Sequence, residues 1–360
     1  MNFDFATAGR IVFGQGTAKQ VPGLVRSFGS RPLVVTGRTV DRGLAVVNGT
    51  PFAVPGEPTV DLVRSGVAKA RAADCDAVVA VGGGSAIDAA KAIAALVTNS
   101  GEPLDYLEVI GRARPLEQPP LPFIAVPTTA GTGSEVTRNA VLGSPGHAVK
   151  ASLRSPLMLA RVALIDPELS VGLPAEVTAS TGLDALTQLI EPYVSVRANA
   201  MTDVFCLEGM CRVRRSLARA HRDGTDLEAR ADMSFAALLG GLALANAGLG
   251  AVHGFAAPIG GMFDAPHGAV CAALLPHAVD VNVQALRERE PESEALRRYD
   301  DLGWVRELCS RLGIPPLRRW GVTADHVPEL VEKAAKASSM KGNPIVLTRA
   351  ELTEIVERAL

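Results

Sequence analysis

The chain has 360 residues, 48% of them hydrophobic and 21% charged, with a formal net charge of −2. This length predicts two domains, each able to bury its own core. The near-neutral balance excludes a polyanion-binding surface or an acidic tail. No basic run carries interleaved aromatics, so nucleic acid is not an expected partner. No apolar stretch reads as a membrane span, and Met1-Asn-Phe-Asp-Phe5 lacks a basic-then-apolar leader pattern, so no membrane partner is expected either. The five cysteines are odd in number and form no CxxC pair. They read as buried free thiols of a cytoplasmic protein.

Taken in order, Arg10-Ile-Val-Phe-Gly14 predicts a first strand. Residues 18–28 have helical spacing, and Pro32-Leu-Val-Val-Thr36 is a buried strand ending at Gly37-Arg38. Residues 59–73 predict an amphipathic helix leading into Asp76-Ala-Val-Val-Ala-Val-Gly-Gly-Gly-Ser-Ala-Ile-Asp-Ala-Ala-Lys91. That stretch reads as an interior strand over residues 77–81, a turn at Gly82-Gly83-Gly84, and a helix opened by Ser85. Asp88 and Lys91 fall in the helix's first turns. Unpaired N–H groups at such a helix start attract a phosphate. A glycine triplet is a weaker signal than GxGxxG, and a tight turn without a ligand would use the same residues.

Residues 101–120 are loop-rich. Pro122-Phe-Ile-Ala-Val-Pro127 predicts the next strand, followed by the hydroxyl- and glycine-rich Thr128-Thr-Ala-Gly-Thr-Gly-Ser-Glu-Val136. Residues 141–150 and 161–166 add extended segments. Strands alternating with helices predict a parallel α/β layer, with ligands at the carboxyl ends of its strands. From residue 175 the texture turns helical. Helices are expected over residues 175–195, 200–219, 227–247, 251–262, 269–288, 293–312, 324–337 and 349–360. The Arg212 to Arg222 cluster reads as a solvated helix face.

The helical half carries a second constellation. Asp184 and Gln188 are spaced i, i+4, so both lie on one helix face. His253, on a helix, and His267, in the turn after it, flank a glycine- and proline-punctuated bend. A carboxylate, an amide oxygen and two imidazoles could hold a divalent metal with a position open to a substrate oxygen. Such a metal polarises a carbonyl or lowers the pKa of an alcohol. The same residues could equally be ordinary polar groups near helix ends.

Together these motifs resemble the iron-containing (group III) alcohol dehydrogenase family. The resemblance is collinear over nearly the whole chain. It takes in Arg10-Ile-Val-Phe-Gly14, Val81-Gly-Gly-Gly-Ser-Ala-Ile-Asp-Ala-Ala-Lys91, Pro127-Thr-Thr-Ala-Gly-Thr-Gly-Ser-Glu-Val-Thr-Arg138, Thr181-Gly-Leu-Asp-Ala-Leu-Thr187, Gly248-Leu-Gly-Ala-Val-His253, Pro266-His-Gly268 and Lys336-Ala-Ser-Ser-Met-Lys-Gly-Asn-Pro344. It implies a Rossmann-like α/β dinucleotide-binding domain over residues 1–170 and an all-α metal and substrate domain over 171–360, with the active site in the cleft between. The implied cofactors are NAD or NADP and one divalent metal, iron or zinc. The implied cofactor-binding residues are Gly37, Gly83, Gly84, Ser85, Asp88, Thr128, Thr129 and Lys150. The implied metal ligands are Asp184, Gln188, His253 and His267, with His253 and His267 also the catalytic pair. A homodimer or higher homo-oligomer is implied as well.

Three positions depart from the family pattern. Gln188 stands where a histidine ligand is usual, which blunts a preference for softer metals. Ala257 stands where a proton-relaying histidine is usual. Gly37-Arg38 stands where NAD-specific members carry an aspartate, and Arg38 could pair with a 2′-phosphate. The expected reaction is reversible hydride transfer between a small alcohol and its aldehyde or ketone. The rival expectations are a metal-free reductase similar to maleylacetate reductase, a cyclase similar to dehydroquinate synthase, and a non-catalytic nucleotide-binding protein.

Overall fold

Six apolar segments of the first half pair into one wholly parallel sheet. They are β1 (Ile11–Phe13), β2 (Pro32–Thr36), β3 (Thr50–Ala53), β4 (Ala77–Gly82), β5 (Phe123–Pro127) and β8 (Val162–Ile165), in the order β1-β8-β5-β4-β2-β3. The central strands β2, β4 and β5 are buried at every position, which fits their near-continuous runs of Val, Ala, Leu and Ile. An antiparallel hairpin, β6 (Asn139–Ser144) and β7 (Val149–Arg154), stands apart from the sheet. The computed structural model describes residues 2–147 and 149–360; Ala148, within the expected extended segment 141–150, lies outside them.

Alternation along the strands separates two layers. Val34, Val79, Val81, Ile124, Val126 and Leu164 face one side, against Val21 and Val25 of α1 (Val21–Arg26) and Leu44 of α2 (Val40–Leu44). Helices α3 (Val60–Ala72) and α4 (Gly84–Thr98) pack against each other. Their approach is close: a Cβ on Gly66 would stand 2.3 Å from Ile93 Cδ1. A short α5 (Pro103–Tyr106) interrupts the loop-rich stretch. The sequence reading missed α2, β3 and α5, because each is only four or five residues long and too short for a period to show.

Contacts divide the chain into two units, Phe5–Val171 and Gly172–Leu360 with residues 2–4. The second is built from α6 (Ala175–Val194), α7 (Ala200–Arg222), α8 (Leu227–Ala247), α9 (Ala251–Met262), α10 (His267–Arg289), α11 (Glu294–Asp300), α12 (Trp304–Arg311), α13 (Val327–Lys336) and α14 (Arg349–Ala359). Residues 293–312 form two helices, not one, broken at Asp301-Leu302-Gly303. By length and composition α10 could cross a membrane, yet 67% of that stretch is buried inside the unit, as in a core helix.

The arginines of α7 lie on a largely exposed face, with Arg214, Arg215 and Arg222 exposed, and two of them also pair across to the next helix. Arg212 and Arg215 both hydrogen-bond Asp232 of α8 (2.9 and 2.6 Å), which also accepts from Ser216 at 2.5 Å. Between α8 and α9 the chain turns by 99° at Gly248-Leu249-Gly250. Gly248 has φ +79°, a left-handed backbone that favours glycine. Helix α9 has no cap of its own. The Ala251 N–H donates to Asn343 Oδ1 at 3.1 Å and the Val252 N–H to Glu191 Oε1 at 2.7 Å, so distant side chains close its first turn.

Candidate active site and metal centre

The carboxyl ends of β2 and β4 adjoin, with Thr36 paired in register to Val81. Strand order reverses here: β3 lies beyond β2, while β5 lies beyond β4. This is the position where open parallel sheets bind ligands. Gly37 and the glycine triplet meet at it, the Cβ position of Gly82 being 3.2 Å from the Gly37 nitrogen. The glycines were expected for a sharp turn and for close approach of the backbone to a ligand, and none of Gly82, Gly83 and Gly84 has a positive φ. Close approach demands them instead. A Cβ on Gly82 would lie 2.6 Å from that of Ala86, and one on Gly84 would lie 2.7 Å from Thr132 Oγ1. Space around Gly37 is open, with nothing within 4 Å of its Cβ position.

No side chain caps α4. Its first turn, with Ser85 at the second position, presents N–H groups and the positive end of the helix dipole. Thr128 follows β5 and donates its N–H to Gly82 O at 3.0 Å, and Thr129 Oγ1 lies 3.2 Å from the Cβ position of Gly83. Asp88 accepts from Val141 N–H at 2.9 Å and stands 3.2 Å from Lys91 Nζ. Lys150, on β7, pairs with Glu57 at 3.6 Å. Lys91 is wholly buried and also donates to Thr137 Oγ1 (2.9 Å) and Asn139 O (2.5 Å). Burial lowers its pKa despite Asp88, and burial pushes the nearby Glu135 carboxyl up to about 7.

In the helical unit, Asp184 of α6, His253 of α9 and His267 of α10 come together. Asp184 Oδ1 lies 3.5 Å from His253 Nε2 and 3.6 Å from His267 Nε2. His267 is the first residue of α10, not a turn residue as the sequence suggested. It alone reaches the surface: its side chain is 34% exposed, against 2% for Asp184 and 6% for His253. Gln188 follows Asp184 by one turn of α6 and is buried, its Cβ 3.3 Å from the Cβ position of Gly240 in α8.

Two members escaped the sequence reading. Cys271, expected as a buried free thiol, places Sγ 3.9 Å from His253 Nε2 and 3.7 Å from His267 Nε2. Donor atoms of Asp184, His253, His267 and Cys271 all lie within 4.8 Å of one another. Glu191 accepts from His253 Nδ1 at 2.6 Å. A carboxylate only accepts, so Nδ1 carries the proton and Nε2 offers its lone pair to the cluster. Both residues had a legible signal. Cys271 is i+4 from His267, and Glu191 is i+7 from Asp184, each on the same helix face.

The electrostatics favour a cation. Burial opposes charging His253 and His267, yet the Cys271 sulfur, Glu191 and Asp184 hold His253 well above its ordinary range. Cys271 and Asp184 likewise raise His267 to about 9. Asp184 itself is held low by the two imidazoles, against the effect of its burial. Asp184 Oδ1 and Gln188 Oε1 are buried acceptors without a hydrogen-bond partner. Such orphans cost about 1–3 kcal/mol each unless something answers them. A divalent ion fits this donor set, with Asp184, His253 and His267 to hold it.

A parallel sheet with a phosphate-attracting switch point and a buried His/Asp donor cluster suit a nucleotide-binding, metal-using enzyme. The sequence matches the family description "Iron-containing alcohol dehydrogenase" over residues 8–167 and its C-terminal counterpart over residues 178–360. The chain belongs to the iron-containing alcohol dehydrogenase family, and NAD(P) and a divalent metal are that family's cofactors. It is 36% identical to 4-hydroxybutyrate dehydrogenase of Cupriavidus necator over 354 residues, 92% of each chain. The solved structure of a 1,3-propanediol oxidoreductase superposes with a TM-score of 0.89 at 32% identity, covering all of both chains. That of sulfoacetaldehyde reductase from Bifidobacterium kashiwanohense, in complex with NAD+, gives 0.85 at 28% identity, covering 99% of this chain and 98% of that one.

Proposed function

We propose that this enzyme interconverts a small alcohol and its aldehyde by hydride exchange with C4 of a nicotinamide. Residues 1–170 hold the dinucleotide and residues 171–360 hold the metal and the substrate. The observation that carries the reading is the buried set Asp184, His253 and His267 with its orphaned acceptors. A bound divalent ion supplies Lewis-acid polarisation of the substrate oxygen.

The chain's own residues do the rest. The first turn of α4, with Gly83, Gly84 and Ser85, binds the pyrophosphate, and Thr128 and Thr129 line the nucleotide site. Lys150 reaches the ribose, and Asp88 positions the α4 helix against β6 through Val141. Glu191 fixes the tautomer of His253, and His267 forms the exposed side by which substrate enters. Ala257 carries no proton, so the alcohol proton exchanges with water or a ribose hydroxyl. Open space at Gly37 and the cation of Arg38 suit a 2′-phosphate, so both NAD and NADP are accepted. All five cysteines are free and Cys211 is exposed, which supports a cytoplasmic setting. The family likeness supports a homodimer or larger homo-oligomer.

The test pairs elemental analysis of the purified protein with NAD(P)H turnover on a panel of aldehydes, before and after chelation. Metal near one equivalent per chain, with activity lost on chelation and regained with metal, is the expected result. Full activity in exhaustively chelated protein would overturn it in favour of a metal-free reductase.

A further inference from the structure

We propose that Cys271 is a thiolate ligand of the divalent ion, replacing the histidine that the family places at Gln188, and that the resulting Asp184–His253–His267–Cys271 set selects zinc over iron. This inference rests on the metal reading above. Its first support is register: Cys271 follows His267 by four residues on α10, so both project from one face of the helix's first turns. The second is spacing. Tetrahedral bonds of roughly 2.3 Å to sulfur and 2.0–2.1 Å to nitrogen or oxygen put donors about 3.3–3.6 Å apart. Four of the six separations across this cluster are 3.5, 3.6, 3.7 and 3.9 Å, that shell with slight expansion, and all six lie within 4.8 Å.

A third support is the unpartnered Asp184 Oδ1, buried and 3.5–3.6 Å from both imidazole Nε2 atoms. It marks the same point in space from the α6 side. The contrast with Cys206 and Cys309 is the fourth. Burial is the main cause raising both of those thiols, and among the described residues neither belongs to a cluster of three or more potential metal ligands. A thiolate is a soft donor and a carboxamide oxygen a hard one. Exchanging the family's imidazole for sulfur moves the site toward zinc and cobalt and away from iron.

Cobalt(II) substitution tests this directly, in a Cys211→Ser background that removes the exposed thiol. The cobalt protein should show a thiolate-to-cobalt charge-transfer band in the near ultraviolet beside the visible bands of a tetrahedral site. Cys271→Ser should lose the near-ultraviolet band, keep visible bands, and bind zinc at least about tenfold more weakly. Gln188→Ala should keep the charge-transfer band. A parent protein that binds cobalt without that band, or a Cys271→Ser spectrum matching the parent, overturns the inference even if alcohol oxidation persists. The band without turnover supports the ligand and counts against the hydride-transfer reading. Failure of the parent to bind cobalt or zinc sinks both.

Discussion

Glu191→Gln is the most discriminating single change, because it preserves volume and removes one lone-pair arrangement. All of the groups that Glu191 contacts are donors. Its Oε1 accepts from the Val252 and His253 backbone N–H groups at 2.7 and 3.4 Å, and its Oε2 from His253 Nδ1 at 2.6 Å. A carboxamide keeps only one oxygen. If that oxygen stays on the first turn of α9, the NH2 faces His253. The ring must then accept at Nδ1 and carry its proton on Nε2, the nitrogen aimed at Asp184 and Cys271. If the amide turns over, two backbone donors lose their acceptor. In the first case metal binding must first correct the ring, and in the second the start of α9 that carries His253 is loosened. Loss of such an outer partner costs about 10–100-fold in metal affinity, or ~1.4–2.7 kcal/mol. Competition with a chromophoric zinc chelator measures it, with near-ultraviolet circular dichroism to check the fold. A folded Glu191→Gln protein that binds zinc as tightly as its parent refutes the tautomer argument.

Three further expectations are independent of that one. His267→Ala should abolish turnover while nucleotide affinity, followed by NADH fluorescence, stays within about twofold; unchanged kcat would remove His267 from the site. Glu135 keeps its proton to about pH 7 in the folded chain, against an ordinary value of 4.5. Stability should therefore be full below about 4.5 and fall as pH rises through about 7, by ~3 kcal/mol. Glu135→Gln should flatten that fall in urea midpoints measured between about pH 5 and 8, and equal slopes would discount the buried acid. Gly37→Asp enters open space. It should fold normally and lower kcat/KM for NADP about tenfold (~1.4 kcal/mol) relative to NAD; an unaltered ratio would take Gly37 out of the nucleotide site.

What the sequence made legible was local. Pro32–Thr36, Ala77–Gly82 and Phe123–Pro127 are contiguous apolar runs, and the glycine triplet follows one of them directly. Even so, its physical cause was invisible. Thr132 and Ala86 exclude side chains there, and only the folded chain brings Thr132 to Gly84. Asp184, His253 and His267 were found as types worth suspecting, but their convergence needed three helices. Cys271 was passed over because an apolar setting is the usual one for a buried thiol. Glu191 was not singled out, because nothing in its local sequence shows that it meets His253. Asn343 lay in a motif with no assigned task, and its amide proves to cap α9 from 92 positions away. The exposed face of Arg212 and Arg215 was legible, but their pairing to Asp232 was not, because that carboxylate sits on the next helix.

The convergence of α6, α9 and α10 on one point makes the ion a staple as well as a reagent. Helix α9 begins after a 99° bend with no cap of its own. Its start is held by Glu191 and Asn343, which lie 61 and 92 positions away in the chain. An ion present at a hundred times its dissociation constant adds ~2.7 kcal/mol to whatever folded unit holds it. Here that is the helical unit alone, since Phe5–Val171 contributes none of the four donors. Nucleotide should in turn steady the sheet unit. Loss of the ion would then cost turnover and the stability of the helical unit together.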